Sequence, residues 1–276
     1  MERIKQAIEK AKQQGGMEAI VHQSVAVPLA GHFIPPAQTS EISEISYKQT
    51  RVIELNQRHL EKHRIVALNK SDLNSVSFDL LRTQVLQKME EHGWRTLAIV
   101  SPVPECGKTV VAINLAMSIA HHTNKTAMLV DFDLRKPKIA EYLGLPAGKS
   151  LNDVLEGDAN INEALVNPGI PKLVIVPTTR PVKKSAEMLT SGKVKQLVQD
   201  LRDRYKERIV IFDLPPLLNV DDAISILPQI DCVLMVVGNG MVTKHELQES
   251  LHHLHNSNLL GVILNKAEVH KNNNYY

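Results

Sequence analysis

Residues 96–109 read TLAIVSPVPECGKT and run directly into the apolar helical stretch VVAINLAMSI. A β-type run ends at residue 101, and Gly107-Lys108-Thr109 stands where the helix begins. The phosphate loop of P-loop proteins has a glycine, four residues of any type, and then Gly-Lys-Ser/Thr. The last three positions match this pattern, whereas Pro102 replaces the first glycine. The strand–loop–helix context therefore predicts a phosphate loop over residues 102–109.

The chemistry of this loop predicts ATP and Mg²⁺ as its ligands. The start of a helix presents unpaired N–H groups and a partial positive charge to phosphate oxygens. Lys108 adds a full charge toward the β and γ phosphates, and the Thr109 hydroxyl is a suitable Mg²⁺ ligand. The loop residues expected to line the nucleotide are Pro104, Glu105, Cys106, Gly107, Lys108, Thr109 and Val110.

Two further apolar strands end in carboxylates. The run 127–131 ends in Asp131 and is followed by Asp133, and the run 208–213 ends in Asp213. Alternate residues of an extended chain face the same side, so Asp131 and Asp133 are both expected to point at the nucleotide. Ligands of open α/β sheets bind at the carboxyl ends of the strands, so these groups should meet the phosphate loop in one crevice.

Short β-branched runs alternate with helical patterns from residue 73 onward. Strands are predicted at 96–101, 126–131, 172–177, 208–213, 231–237 and 259–264, and helices at 76–91, 108–121, 191–205 and 243–256. This alternation is typical of an α/β domain with a mostly parallel sheet and helices on both faces. The predicted organisation is an amphipathic helix in 1–16, a partly extended linker in 17–70, the P-loop domain in 71–268 and a flexible tail in 269–276. The first helix either packs on its own domain or docks to a partner.

The composition excludes several function classes. With 43% hydrophobic and 22% charged residues, the 276-residue chain has the make-up of an ordinary globular protein. A net charge of +2 and only 4% aromatic residues argue against nucleic acid as a partner. Two cysteines fit a reducing compartment, and the chain carries no recognisable signal peptide or membrane-spanning run. A cytoplasmic location is expected, with a partner as the means of recruitment to a membrane.

These motifs together resemble the bacterial tyrosine kinases of capsular and exopolysaccharide export, which share a P-loop class with MinD and the plasmid-partition ATPases. The resemblance covers residues 73–266 and rests first on VDFDLRKP at 130–137, which is similar to the Walker A′ element of that family. Further similar stretches are SLNDVLEG at 150–157, FDLPP at 212–216 with Asp222-Ala223, and GVILNK at 261–266. Residues 3–10 and 50–53 resemble the N-termini of exosortase-associated members.

The resemblance also implies roles for individual residues. Asp131 would polarise an attacking tyrosine hydroxyl, and Asp133 and Asp213 would hold Mg²⁺ directly or through water. Asn265 would lie near the adenine. Arg135 would contact a phosphate or an acidic segment, with a surface salt bridge as the alternative reading.

The resemblance implies a substrate and a partner as well. The family's substrate is a cluster of tyrosines at its own C-terminus, phosphorylated in trans, and Tyr275 and Tyr276 are the matching candidates here. The implied activator is the cytoplasmic end of a membrane polysaccharide chain-length regulator. A homo-oligomer is also implied for such a kinase.

The chain departs from the family pattern at several positions. Glu105 stands where the family loop has glycine, so it is expected to adopt a positive φ at a cost of about 1 kcal/mol and to bring a carboxylate near the phosphates. Either solvent exposure makes this harmless or ATP binding is weakened. Val76, Asp79 and Arg82 stand at the family's oligomerisation positions, Glu-x-x-Arg-x-x-Arg, so two of the three charges are lost. Cys106 stands at the helix start, and redox control through its thiol is a further hypothesis.

Three functions remain in competition at this point. The first is an ATP-dependent autokinase acting on tyrosine that regulates exopolysaccharide polymerisation and export. The second is a nucleotide-bound regulator of a membrane polysaccharide copolymerase with little or no kinase activity. The third is a positioning ATPase of the MinD kind. That class carries an extra lysine early in the loop, where this chain has Val103, so the sequence disfavours it.

Overall fold

The computed structural model describes residues 50–69, 71–205 and 207–267. The predicted N-terminal helix in 1–16, most of the predicted linker, and the tail with Tyr275 and Tyr276 lie outside the described residues. Within the described part of the chain, no helix is long and apolar enough to cross a membrane.

The described chain is built around one eight-stranded sheet. Its strands are β1 Arg51–Val52, β2 Thr96–Val100, β3 Thr126–Asp131, β4 Val166–Asn167, β5 Leu173–Val176, β6 Arg208–Asp213, β7 Cys232–Gly238 and β8 Leu259–Asn265. The spatial order is β1-β4-β5-β3-β6-β2-β7-β8. Among these strands the pairing is parallel except between β4 and β5, which are antiparallel. The predicted mostly parallel α/β fold is confirmed.

Helices connect the strands. They are α1 Gln57–Lys62, α2 Leu73–Glu91, α3 Lys108–His122, α4 Ile139–Leu143, α5 Leu151–Glu156, α6 Ile161–Ala164, α7 Ser185–Leu189, α8 Gly192–Asp203, α9 Asp222–Ile226 and α10 Lys244–His253. The long helices match the predictions to within about three residues at each end. Helix α2 begins earlier than predicted because the Asp72 side chain accepts the N–H of Asn74 at 2.8 Å and caps it. The short helices α4 to α7 and α9 were not predicted, since four to six residues carry too little periodicity.

Both faces of the central sheet are covered. In β2 the consecutive residues Leu97, Ala98, Ile99 and Val100 are all fully buried. Successive strand side chains point to opposite faces, so both faces of β2 lie against other parts of the protein. Helix α3 is likewise buried over almost its whole length, which makes the helix that follows the phosphate loop part of the core.

Residues 50–69 correct the predicted linker boundary at residue 70. Strand β1 pairs with β4, and the side chains of Leu60, Ile65 and Ala67 are buried in the core. Asn114 of α3 anchors the segment, because its Oδ1 accepts the N–H groups of residues 66 and 67 at 2.7 and 2.9 Å. The sequence pattern predicts a linker here because a two-residue strand and a six-residue helix leave no sustained periodicity.

Candidate active site

The ends of three neighbouring strands form the site. In the sheet β6 lies between β3 and β2, and Asp213 at the end of β6 is in register with both Asp131 and Ile99. The loop of residues 101–107 follows β2 directly and leads into α3 at Lys108. Because the strands are parallel, their carboxyl ends bring the loop and the acidic residues to one edge of the sheet, where open α/β folds bind ligands.

Lys108 and Thr109 contact two of the predicted carboxylates. The ammonium Nζ of Lys108 lies 2.9 Å from Asp133 Oδ2 and 3.5 Å from Asp213 Oδ1. The hydroxyl of Thr109 donates to Asp213 Oδ2 at 2.7 Å. All four residues are less than 10% exposed. The structure therefore joins the first turn of α3 to the ends of β3 and β6 through a buried polar cluster.

Burial and charge act against each other in this cluster. Burial alone would lower the pKa of Lys108, but the carboxylates of Asp213 and Asp133 outweigh it and raise the pKa above its ordinary value. For Asp213, burial raises the pKa, while the Lys108 charge and the Thr109 hydrogen bond oppose that rise. Lys108 is consequently the positive charge that compensates the carboxylates of the site.

Asp131 has a different environment from Asp133 and Asp213. It is fully buried, and its carboxylate accepts backbone N–H groups from Asp133 at 3.3 Å, Lys138 at 3.2 Å and Ile139 at 3.0 Å. Burial, followed by the charge of Asp213, raises the pKa of Asp131 well above its ordinary value. A carboxylate with a raised pKa is suited to accepting a proton from a hydroxyl group near neutral pH.

The phosphate loop has the backbone conformation that the sequence predicted. Glu105 adopts φ 64° and Gly107 adopts φ 91°, both in the left-handed region. The prediction that Glu105 occupies a position suited to glycine is confirmed. The Cys106 side chain is fully buried and belongs to the hydrophobic core. The hypothesis of redox control through Cys106 is therefore wrong, since a reactive thiol must be accessible.

Arg135 is held by a carboxylate that the sequence did not assign to the site. Its Nε and a terminal nitrogen both donate to Asp222 Oδ1, at 3.0 and 2.8 Å. Asp222 is fully buried, and its Oδ2 has no hydrogen-bond partner among the described residues. The sequence left a surface salt bridge as the alternative role for Arg135. The structure shows this salt bridge, but its acidic partner is buried. The sequence did contain an indication that Asp222 belongs to the site, because the Asp222-Ala223 stretch was already part of the family resemblance.

Asn265 lies against the phosphate loop. Its Nδ2 donates to the carbonyl oxygen of Cys106 at 2.8 Å. The family resemblance implies a position near the adenine for this side chain, and the structure adds a contact to the loop backbone. No local pattern predicts that contact, because residues 106 and 265 are 159 positions apart in the chain.

The arrangement fits a nucleotide-linked Mg²⁺ rather than a metal site made by protein side chains alone. Among the described residues, no group of three or more His, Cys, Asp or Glu side chains could hold a metal ion. Mg²⁺ commonly takes one or two carboxylates and completes its shell with water and substrate phosphates. The oxygens of Thr109, Asp133 and Asp213 are of the required type, and the Lys108 ammonium shows that the pocket accepts a cation.

Comparison with known proteins agrees with this geometry. A family model described as AAA domain (AAA_31) matches residues 95–260, more than half of the chain. The succinoglycan biosynthesis transport protein ExoP of Rhizobium meliloti is 31% identical over 186 residues, which are 66% of this chain and 23% of ExoP. The tyrosine-protein kinase YwqD of Bacillus subtilis is 29% identical over 219 residues, 78% of this chain and 91% of YwqD. The kinase domain of the Escherichia coli tyrosine kinase ETK superposes with a TM-score of 0.70 at 24% identity, over 82% of this chain and 91% of that domain, and so shares its fold.

A phosphate loop after β2 and acidic ends on β3 and β6 define a P-loop nucleotide-binding protein. The chain belongs to the AAA domain family, and it is similar to bacterial proteins that are named tyrosine-protein kinases. It spans about a quarter of the length of several of these relatives, at 23% to 25%.

Proposed function

We propose that the protein is an ATP-dependent protein-tyrosine autokinase that acts in exopolysaccharide polymerisation and export. The observation that carries the proposal is the buried cluster in which Lys108 and Thr109 contact Asp133 and Asp213, with Asp131 at the adjoining strand end. The relatives named as tyrosine kinases and as a polysaccharide transport protein support the choice of reaction.

The reaction follows from the chemistry of the site residues. Lys108 leaves Asp133 and Asp213 and binds the β and γ phosphates of ATP. The oxygens of Thr109, Asp133 and Asp213 would hold Mg²⁺, which would supply the positive charge that neutralises the phosphates. Asp131 accepts the proton of a tyrosine hydroxyl as the phenolic oxygen attacks the γ-phosphorus. The bond from the γ-phosphorus to the β–γ bridging oxygen breaks, and ADP leaves.

The proposal also includes the tyrosine acceptors and the activating partner. Tyr275 and Tyr276 are the acceptor candidates, and the activator is the cytoplasmic end of a membrane polysaccharide chain-length regulator, which recruits the kinase. The charged residues at the family's oligomerisation positions contact groups of this same chain. Arg82 donates to Asp79 Oδ1 at 2.7 Å and to Ser118 Oγ at 3.0 Å. Homo-oligomer assembly through that charge pattern is for this reason not part of the proposal.

A second function is favoured by one specific observation. Glu105 adopts φ 64° in the phosphate loop and adds a negative charge to a site that must bind phosphates. A loop of this kind fits a protein that binds nucleotide and reports the state of its membrane partner without transferring phosphate. The alternative is a nucleotide-binding regulator of the polysaccharide copolymerase.

The test uses the full chain incubated with Mg·ATP and analysed by intact mass and by anti-phosphotyrosine detection. We expect phosphate on the peptide that contains Tyr275 and Tyr276, and its loss in Lys108→Met and Asp131→Asn. The matched control is Asp158→Asn, which makes the same change at an exposed aspartate without a hydrogen bond from its carboxylate to the site. Autophosphorylation of this control should equal that of the wild type.

Two other outcomes have clear meanings. Nucleotide binding by calorimetry without phosphotyrosine, also in the presence of the cytoplasmic segment of the regulator, would favour the nucleotide-binding regulator over the kinase. Phosphotyrosine that persists in Asp131→Asn would remove Asp131 from the proposed chemistry.

A further inference from the structure

Asn265 connects the edge of the sheet to the phosphate loop. It is the last residue of β8, where its backbone is in register with Gly238 of β7 and its carbonyl accepts the N–H of Asn239 at 2.8 Å. Its side-chain Nδ2 donates to the carbonyl of Cys106 at 2.8 Å. The amide therefore extends from a fixed strand end to the residue that precedes Gly107.

The contact with the loop is also steric. A Cβ added to Gly107 would lie 2.2 Å from Asn265 Nδ2, far inside any van der Waals contact. Gly107 further adopts φ 91°, which residues with a side chain rarely do. Asn265 thus occupies the space directly above the loop backbone, and the absence of a side chain at residue 107 is what admits it.

The geometry of the peptide group links this contact to phosphate binding. The carbonyl of Cys106 and the N–H of Gly107 belong to one planar trans peptide group, in which the two bonds point in opposite directions. By holding the carbonyl, Asn265 directs the N–H of Gly107 away from itself. Backbone N–H groups of such a loop are the donors that bind phosphate oxygens.

We propose that Asn265 is a positioning residue for the phosphate loop: its amide orients the Cys106–Gly107 peptide for phosphate binding. The inference rests on the proposed function, because it concerns how the same site binds Mg·ATP. It differs from adenine recognition, in which Asn265 would contact the base and contribute nothing to the binding of the phosphates alone.

The test compares Asn265→Ala with the wild type for three probes: Mg·ATP, Mg·GTP and Mg·tripolyphosphate. We expect the affinity for all three to fall by a similar factor of about 2- to 10-fold, as for the loss of one hydrogen bond. The matched control is Asn258→Ala, directly before β8, which removes an amide that donates to the backbone carbonyl of Asp231 at 2.8 Å. This control should bind all three probes as the wild type does.

Hydrogen exchange of the ligand-free protein gives a second readout. The amides of residues 103 and 105–109 should exchange faster in Asn265→Ala and in the nearly isosteric Asn265→Asp, and their exchange should be unchanged in Asn258→Ala. Weaker ATP binding with unchanged tripolyphosphate binding would assign Asn265 to the base and overturn the proposal. Unchanged exchange of the loop would also overturn it. A wild-type protein that binds none of the probes would refute the proposed function itself, and the inference with it.

Discussion

Replacing Lys108 by methionine is expected to destabilise the folded domain in addition to removing phosphate binding. The Lys108 ammonium lies 2.9 Å from Asp133 and 3.5 Å from Asp213. Asp131 is the last residue of β3 and is in register with Asp213, the last residue of the neighbouring β6. These three carboxylates are between 0% and 5% exposed. Methionine preserves most of the side-chain volume and removes the charge, so the variant isolates the electrostatic contribution of Lys108.

The magnitude follows from the burial of the cluster. Removing one partner of a buried ion pair costs about 3–5 kcal/mol, because the remaining charge loses its compensation. For a domain of this size each 1 kcal/mol lowers Tm by about 2–4 °C, which gives a decrease of roughly 6–20 °C. The loss should be smaller at acidic pH, since the pKa values of Asp131 and Asp213 are already raised and protonation relieves the repulsion.

The assay is urea unfolding at neutral pH, followed by circular dichroism, without nucleotide or Mg²⁺. Lys184→Met is the matched control, because Lys184 forms an ion pair with Glu187 at 3.3 Å that is largely exposed. Such a pair contributes about 0–1 kcal/mol. The double variant Lys108→Met/Asp133→Asn should recover part of the loss, as it removes one of the uncompensated charges. Equal stability of the Lys108 and Lys184 variants, or no recovery in the double variant, would refute the reasoning.

Three further predictions concern single residues. Asp131→Asn should raise the stability of the protein at pH 7 without nucleotide, while abolishing phosphotransfer. The folded state binds the Asp131 proton more tightly than the unfolded state, so wild-type stability falls as pH rises above the unfolded pKa. Urea unfolding at several pH values should show a smaller fall in the variant, where only Asp213 still has a raised pKa. Glu105→Gly should increase stability by about 1 kcal/mol and strengthen Mg·ATP binding in calorimetry. Glu105→Ala should strengthen binding without the gain in stability, because it keeps a side chain at φ 64°. Asn114→Ala should cost about 2–3 kcal/mol, because it leaves the part-buried N–H group of Val66 and the buried N–H group of Ala67 unpaired. Faster hydrogen exchange at these two residues but not at Leu97 would identify the cause.

The fold was largely predictable because its signals are local. The apolar runs at β2, β3, β6 and α3 lie within single stretches of 5 to 15 residues. Hydrophobic pattern alone is sufficient for elements of this length. The two-residue strands β1 and β4 are different, because pairing with neighbouring strands creates them. Residues 50–69 were accordingly taken for linker.

The candidate site also combines residues that local sequence predicts with contacts that depend on tertiary structure. Gly107, Lys108 and Thr109 form a contiguous motif, and Asp131 and Asp213 each end a strand of their own, so sequence was enough to predict that they face one edge of a parallel sheet. The positive φ of Glu105 was expected from the resemblance, because the family loop has glycine at that position.

The partners of these residues depend on contacts between distant parts of the chain. Asn265 and Cys106 are 159 positions apart, and Arg135 and Asp222 are 87 positions apart. Hydrogen bonds of this kind leave no periodic pattern, since each depends on where whole strands and helices come to lie. Local sequence therefore determined which elements form and which residues carry the phosphate chemistry, and tertiary packing decided which side chains hold that chemistry in place.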